Sequence, residues 1–85
     1  MKARLEAVHV EADRQGVPLR LIWRGRPLRV TVVHDRWRYA SKWWLDGKGW
    51  RRAYFLVTVR DASGETYTLE VFQQRANWVL SRVGD

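Results

Sequence analysis

Apolar residues recur at every second position along most of this chain, the period of a strand with one buried face. The opening residues fit two patterns. Met1, Leu5, Val8 and Ala12 sit at helical spacing, whereas Val8 and Val10 alternate with Ala7, His9 and Glu11 as in a strand. Asp13-Arg14-Gln15-Gly16 has the composition of a turn, and Val17-Pro18 restarts the chain in extended geometry. A strand over about residues 5–12 is the better fit.

A hairpin follows. Leu19, Leu21 and Trp23 alternate with Arg20, Ile22 and Arg24. Arg24-Gly25-Arg26 turns, and Leu28, Val30 and Val32 alternate with Arg29, Thr31 and Val33. Gly25 supplies the positive φ that a tight hairpin needs. This third strand is expected to run on through His34, Asp35, Arg36 and Trp37. Residues 38–50 keep no clean period and hold two turn signals, Asp46-Gly47 and Lys48-Gly49. They form the longest connection and the expected functional loop.

The second half reads as a meander. Tyr54 to Val59 is a strand buried on both faces or nearly so, Asp61-Ala62-Ser63-Gly64 is a turn ending in glycine, and Thr66 to Phe72 pairs back. Gln73 to Asn77 turns again, with Asn77 expected to take the left-handed conformation. Trp78 to Val83 is the last strand. The pattern therefore predicts one all-β domain over residues 1–85, a six-stranded antiparallel meander curled into a small, partly open, SH3-like barrel.

Composition sharpens this picture. A chain of 85 residues buries only about 60–65% of its unfolded surface, so its core is thin and needs large side chains. Trp23, beside Leu19 and Leu21, and Trp78, beside Leu80, are expected to fill it. With no cysteine, disulfides and thiolate metal sites are excluded, and a cytoplasmic setting is expected. No apolar run approaches the roughly 20 residues of a membrane span, and no apolar stretch follows the basic start as in a signal peptide. No membrane partner is expected.

Charge is distributed unevenly. Between Arg20 and Arg52 lie ten cations against two acids, and five of the six tryptophans. Outside that stretch acids outnumber cations by one, within a total net charge of +7. A solvated face in a soluble protein usually mixes signs. Six arginines against one acid between Arg20 and Arg38 do not fit that pattern. Cations interleaved with flat rings suit a polyanion that carries stackable bases. The candidate contacts are Arg20, Arg24, Arg26, Arg29, Arg36, Arg38, Arg51 and Arg52 for phosphates, with Trp43, Trp44 and Trp50 for bases. Arg20, Ile22 and Arg24 share a face, and Arg29 joins it if the register allows. At least one exposed ring is expected among Trp37, Trp43, Trp44 and Trp50; in a regular strand Trp37 shares a face with Thr31, Val33 and Asp35.

Catalysis finds little support. The only histidines are His9 and His34, and no serine sits in a nucleophile elbow. Gly47-Lys48-Gly49 lacks the spacing and the trailing Ser or Thr of a phosphate loop. His34 and Asp35, adjacent on a strand, point to opposite faces, so they make no acid–base pair and a structural role is expected. A metal site would need denser His and acid clustering. No catalytic residue, metal or cofactor is expected.

Trp23-Arg24-Gly25-Arg26, Val30, Asp35-Arg36-Trp37, Trp43-Trp44, Arg52-Ala53-Tyr54-Phe55 and Trp78-Val79-Leu80 with Arg82-Val83 follow one another in this order. Over roughly residues 17–83 the chain resembles a small bacterial domain of unknown function. That domain is also similar to the C-terminal tail of Y-family-like accessory subunits of error-prone repair polymerases. The resemblance implies a setting in DNA damage tolerance and implies no catalytic residues. The expected function is thus a non-enzymatic module for single-stranded or distorted DNA. The alternative is a protein–protein adaptor offering its Trp/Arg surface to an acidic partner, since both residue types are enriched at interface hot spots. RNA binding by a Sm-like or SH3-like barrel is not separable from DNA binding by sequence.

Overall fold

Alternation in the sequence becomes a two-faced sheet. The computed structural model of the chain describes residues 2–40 and 51–84. Seven antiparallel strands form one sheet: β1 (Lys2–Ala7), β2 (His9–Ala12), β3 (Pro18–Trp23), β4 (Arg26–Ala40), β5 (Arg51–Arg60), β6 (Thr66–Gln74) and β7 (Asn77–Gly84). Their order is β1-β7-β6-β5-β4-β3-β2, and the sheet curls into an open half-barrel.

The strand expected over 5–12 is two strands, which makes seven rather than six. Val8 separates them. β1 pairs with β7 and β2 with β3, so consecutive strands sit on opposite edges of the sheet. Val8 is buried at the junction and its N–H donates to Trp78 O at 3.1 Å. Apolar burial and one backbone bond thereby fix the point where the chain crosses from edge to edge.

One face of the sheet carries the core. Leu21 and Leu28 pair across β3–β4. Phe55, Val57 and Val59 recur at period two on β5, opposite Val71, Leu69 and Tyr67 on β6. Trp78 and Leu80 complete the cluster from β7. On β5 this face is fully buried while Tyr54, Leu56 and Thr58 opposite are half-buried, as the strand's mixed apolar sequence predicts. Trp23 packs against the cluster and Trp78 lies within it, as expected. Leu19 does not: it is exposed. Glu11 pairs with Arg20 and Ala12 with Pro18, so this irregularity leaves Leu19 without a residue opposite it in β2.

The turns follow their local chemistry. Trp23 pairs with Arg26, and the two residues between them both have positive φ, 53° at Arg24 and 74° at Gly25, as a type I′ hairpin requires. In the β6–β7 hairpin Gln74 pairs with Asn77, so the left-handed residue is Arg75 (φ 57°) and Asn77 belongs to the strand. The loop is Arg75-Ala76, two residues where the composition suggests five.

β4 is the longest strand, at 15 residues. β3 pairs only with its first four residues, Arg26 to Arg29. From Val30 onward β4 pairs with β5 alone, and among the described residues no strand covers its other edge. Register irregularities at Thr31 and His34 interrupt this ladder. Each irregularity flips the alternation once, so Val32 and Val33 exchange faces between them, while Trp37 keeps the face it shares with Asp35 and Arg29, opposite the core.

Candidate functional site

The face opposite the core collects the chain's unusual residues. At one end of β4–β5, Trp37 stands opposite Tyr54, and Tyr54 opposite Phe72 on β6. Trp37 and Tyr54 stack with centroids 5.2 Å apart and planes 3° from parallel; Tyr54 and Phe72 lie 5.1 Å apart and tilted. Antiparallel pairing places directly opposed Cβ atoms about 5 Å apart, which is why three rings from three strands meet in a row. Trp37 ends the row at the edge of β4 and remains 38% exposed; Phe72, at the inner end, is buried.

Arg52 is fitted into this row. Its Nε donates to Gln74 Oε1 at 2.9 Å, its Nη1 to Tyr54 Oη at 3.1 Å, and its guanidinium carbon lies 4.3 Å from the Phe72 ring centre. The planar guanidinium therefore covers an aromatic face that water would otherwise meet. Beside the row runs a groove of about 530 Å³ lined by Leu5, Trp37, Arg52, Tyr54, Phe72 and Arg82, among others. It joins apolar walls to cations, with Arg82 held 3.3 Å from Glu70.

Besides Arg52, the structure sorts the predicted arginines into three environments. Arg24 and Arg26 serve the fold. Arg24 Nε and Nη2 donate to the two carboxylate oxygens of Glu6 at 2.9 and 3.0 Å, and Arg26 Nη2 reaches Asp61 at 3.5 Å. The Arg24 fork holds the Glu6 carboxyl below its usual range. Trp23 Nε1 faces that carboxylate closely enough to favour its charge, yet falls short of a formed hydrogen bond and is buried without a partner. Asp61 is likewise lowered, chiefly by the Ser63 hydroxyl, with the Glu65 and Ser63 N–H groups adding to it.

Arg36, Arg38 and Arg51 form the second group. They lie opposite Phe55, Ala53 and Ala40 respectively, on the core side of the ladder where it runs past the buried cluster. All three are exposed. Arg38, Arg51 and Arg75 border a further hollow of about 410 Å³. Arg20 and Arg29 form the third group: they are directly opposed across β3–β4, the register under which Arg29 joins Arg20 on one face. Trp43, Trp44 and Trp50 lie outside the described residues.

His34 and Asp35 make no acid–base pair in this structure. His34 Nε2 lies 2.6 Å from Thr58 Oγ1, and Asp35 Oδ1 accepts the Arg36 N–H at 2.8 Å. Among the described residues no group of three potential metal ligands occurs. Sequence reasoning missed Tyr54 and Phe72 as members of an aromatic row, and Arg60, which lies outside the basic stretch. Each was visible as a strand residue at period two; their juxtaposition depends on register.

Over residues 1–85 the chain matches a family defined as a domain of unknown function, DUF6504. The chain belongs to the DUF6504 family. No curated protein and no solved structure matches it. Membership of DUF6504 brings neither substrate nor partner, and the face described above is where this member's chemistry is concentrated.

Proposed function

We propose that this DUF6504 member is a non-enzymatic, cytoplasmic nucleic-acid-binding module that favours single-stranded or distorted DNA. The observation that carries this reading is the Trp37–Tyr54 stack. Its outer ring is partly exposed at a strand edge, beside a groove that also holds Arg52 and Arg82. An indole presented there gives a base a flat surface, while neighbouring guanidinium groups meet the phosphates. The preference for DNA and the repair or translesion setting rest on the resemblance set out in the sequence analysis.

The test is an isotherm on labelled oligonucleotides at two salt concentrations. If about five phosphates are neutralised on a single strand, log K falls with log salt at a slope near −3.5. Absence of binding by micromolar protein at about 50 mM salt, where counterion release favours association most, overturns the reading.

A second reading, an adaptor for an acidic protein partner, has its own support. Among the described residues no second strand pairs with β4 beyond Arg29; Val32, Val33 and Trp37 are exposed along that stretch, and a sheet edge accepts an added strand. Under that reading a defined partner remains bound after nuclease treatment and is lost on Val33→Pro, which removes a backbone donor from β4.

A further inference from the structure

Arg20, Arg29 and Arg60 occupy one continuous row. Arg20 is opposite Arg29 in the β3–β4 ladder, and Arg29 is opposite Arg60 in the β4–β5 ladder. Glu11 on β2 and Thr66 on β6 stand at the two ends of the row. All three arginines are exposed, and none forms an ion pair among the described residues. Directly opposed like charges repel, and here two such pairs share the central Arg29. The neighbouring arginines show that the fold neutralises a guanidinium where it needs one for structure: Arg24 has Glu6, Arg26 has Asp61 and Arg82 has Glu70.

Parity places this row on the same face as the aromatic stack. On β5, Arg60, Thr58, Leu56 and Tyr54 all point away from the core. Tyr54 and Arg60 are six residues apart, about 20 Å along a strand. Between them lie the His34–Thr58 pair and Asp35, whose carboxylate is engaged by the Arg36 N–H. At the roughly 3.4 Å rise per nucleotide of a stacked strand, 20 Å corresponds to about six nucleotides.

We propose that the Arg20–Arg29–Arg60 row binds backbone phosphates of the same nucleic-acid strand whose base stacks on Trp37, so that one track of about six nucleotides runs along β4–β5. This inference rests on the nucleic-acid reading above and adds to it the length of the site and its charged end. Complementarity of charge identifies the occupant: three exposed guanidinium groups with no ion pair among the described residues, carried on strand positions whose Cβ atoms lie about 5 Å apart, suit a chain of phosphates.

The test uses the Arg29→Gln/Arg60→Gln double variant of the full chain and oligothymidylates of about three and about twelve nucleotides, lengths below and above the track. The longer oligomer should bind the variant roughly tenfold more weakly, with a log K–log salt slope shallower by about 1.4, two phosphates' worth. The shorter oligomer, held by the stack, should bind both proteins equally. Unchanged affinity and slope for the longer oligomer overturn the inference and leave the nucleic-acid reading standing. Where wild type binds neither oligomer, the nucleic-acid reading fails and the inference falls with it. An intact melting transition in the variant shows that any loss is not unfolding. Arg29→Lys/Arg60→Lys should restore the slope, because the charge alone sets it.

Discussion

Glu6 on β1 receives both Nε and Nη2 of Arg24, so a cation in the β3–β4 turn holds the first strand in place through two charge-assisted bonds. That arrangement, and the carboxyl of Asp61 in the β5–β6 turn, tie stability to pH. Both carboxyls titrate below their ordinary values of 4.5 and 3.8. The native state thus binds fewer protons than the unfolded chain in this range. The stabilisation is complete above the ordinary carboxylate range and is lost as pH falls through the lowered native values. Melting temperature followed downward from neutrality should hold level and then drop at acid pH. Arg24→Gln should reduce the drop.

The alkaline side has a separate origin. Tyr67 donates its hydroxyl to Glu65 at 2.8 Å, and this bond is the main reason its pKa is raised above 10.0. The native state keeps a proton that the unfolded state gives up, so stability declines as pH rises past that value. Tyr67→Phe should remove this decline in an alkaline melting series, and an unchanged decline would place it elsewhere.

Relieving the arginine row should stabilise the fold. Arg29 faces like charge on both sides, and each directly opposed like pair costs roughly 0.2–1 kcal/mol. Arg29→Gln should raise the melting temperature by a few degrees at low ionic strength. The gain should vanish in high salt, where exposed charges are screened. A lower melting temperature for this variant at low salt would refute the repulsion.

Trp37 and Trp78 should separate by assay. Trp78 is 9% exposed within the core, so Trp78→Ala should cost roughly 3–5 kcal/mol of stability in denaturant unfolding. Trp37 stacks at an exposed edge, and its pairing is worth about 0.5–1.5 kcal/mol to the fold. On the proposed function, Trp37→Ala weakens oligonucleotide binding by a further roughly 1–3 kcal/mol. Equal binding by wild type and Trp37→Ala would remove Trp37 from the interface.

Backbone conformation gives another contrast. Gly64 has φ 91°, and a Cβ there would meet Arg60 Nη2 at 3.4 Å, so Gly64→Ala should destabilise by about 1–3 kcal/mol. Arg75 sits at φ 57° without being glycine, and Arg75→Gly should be neutral or stabilising by a few tenths of a kcal/mol. Thermal melts of the two variants should therefore move apart.

Period-two alternation was sufficient to read the middles of the strands from Pro18 onward, the Gly25 and Gly64 turns, and the core roles of Trp23 and Trp78. It did not reach the strand ends: Arg38, Tyr39 and Ala40, expected in the long connection, pair with Ala53, Arg52 and Arg51 as strand. It was insufficient wherever register decides. The Thr31 and His34 irregularities exchange the faces of Val32 and Val33 while leaving hydrophobicity unchanged, so no count of apolar positions reveals them. Arg60 joins Arg29 only because of pairing between residues 31 positions apart. Charge counting along the chain put it outside the basic stretch. The basic stretch itself mixes several roles, because an arginine that anchors Glu6 and one that faces solvent are chemically the same residue.

Val8 has a kinetic consequence. Because the strands on either side of it belong to opposite edges of the sheet, β1 can find its place only after β7 exists to receive it. The β1–β7 contact, which joins strands from the two ends of the chain, is thus the most expensive loop to close and should be among the last to form. Until it does, β7 presents an unpaired edge. The interval before closure is when this chain is most exposed to association with copies of itself.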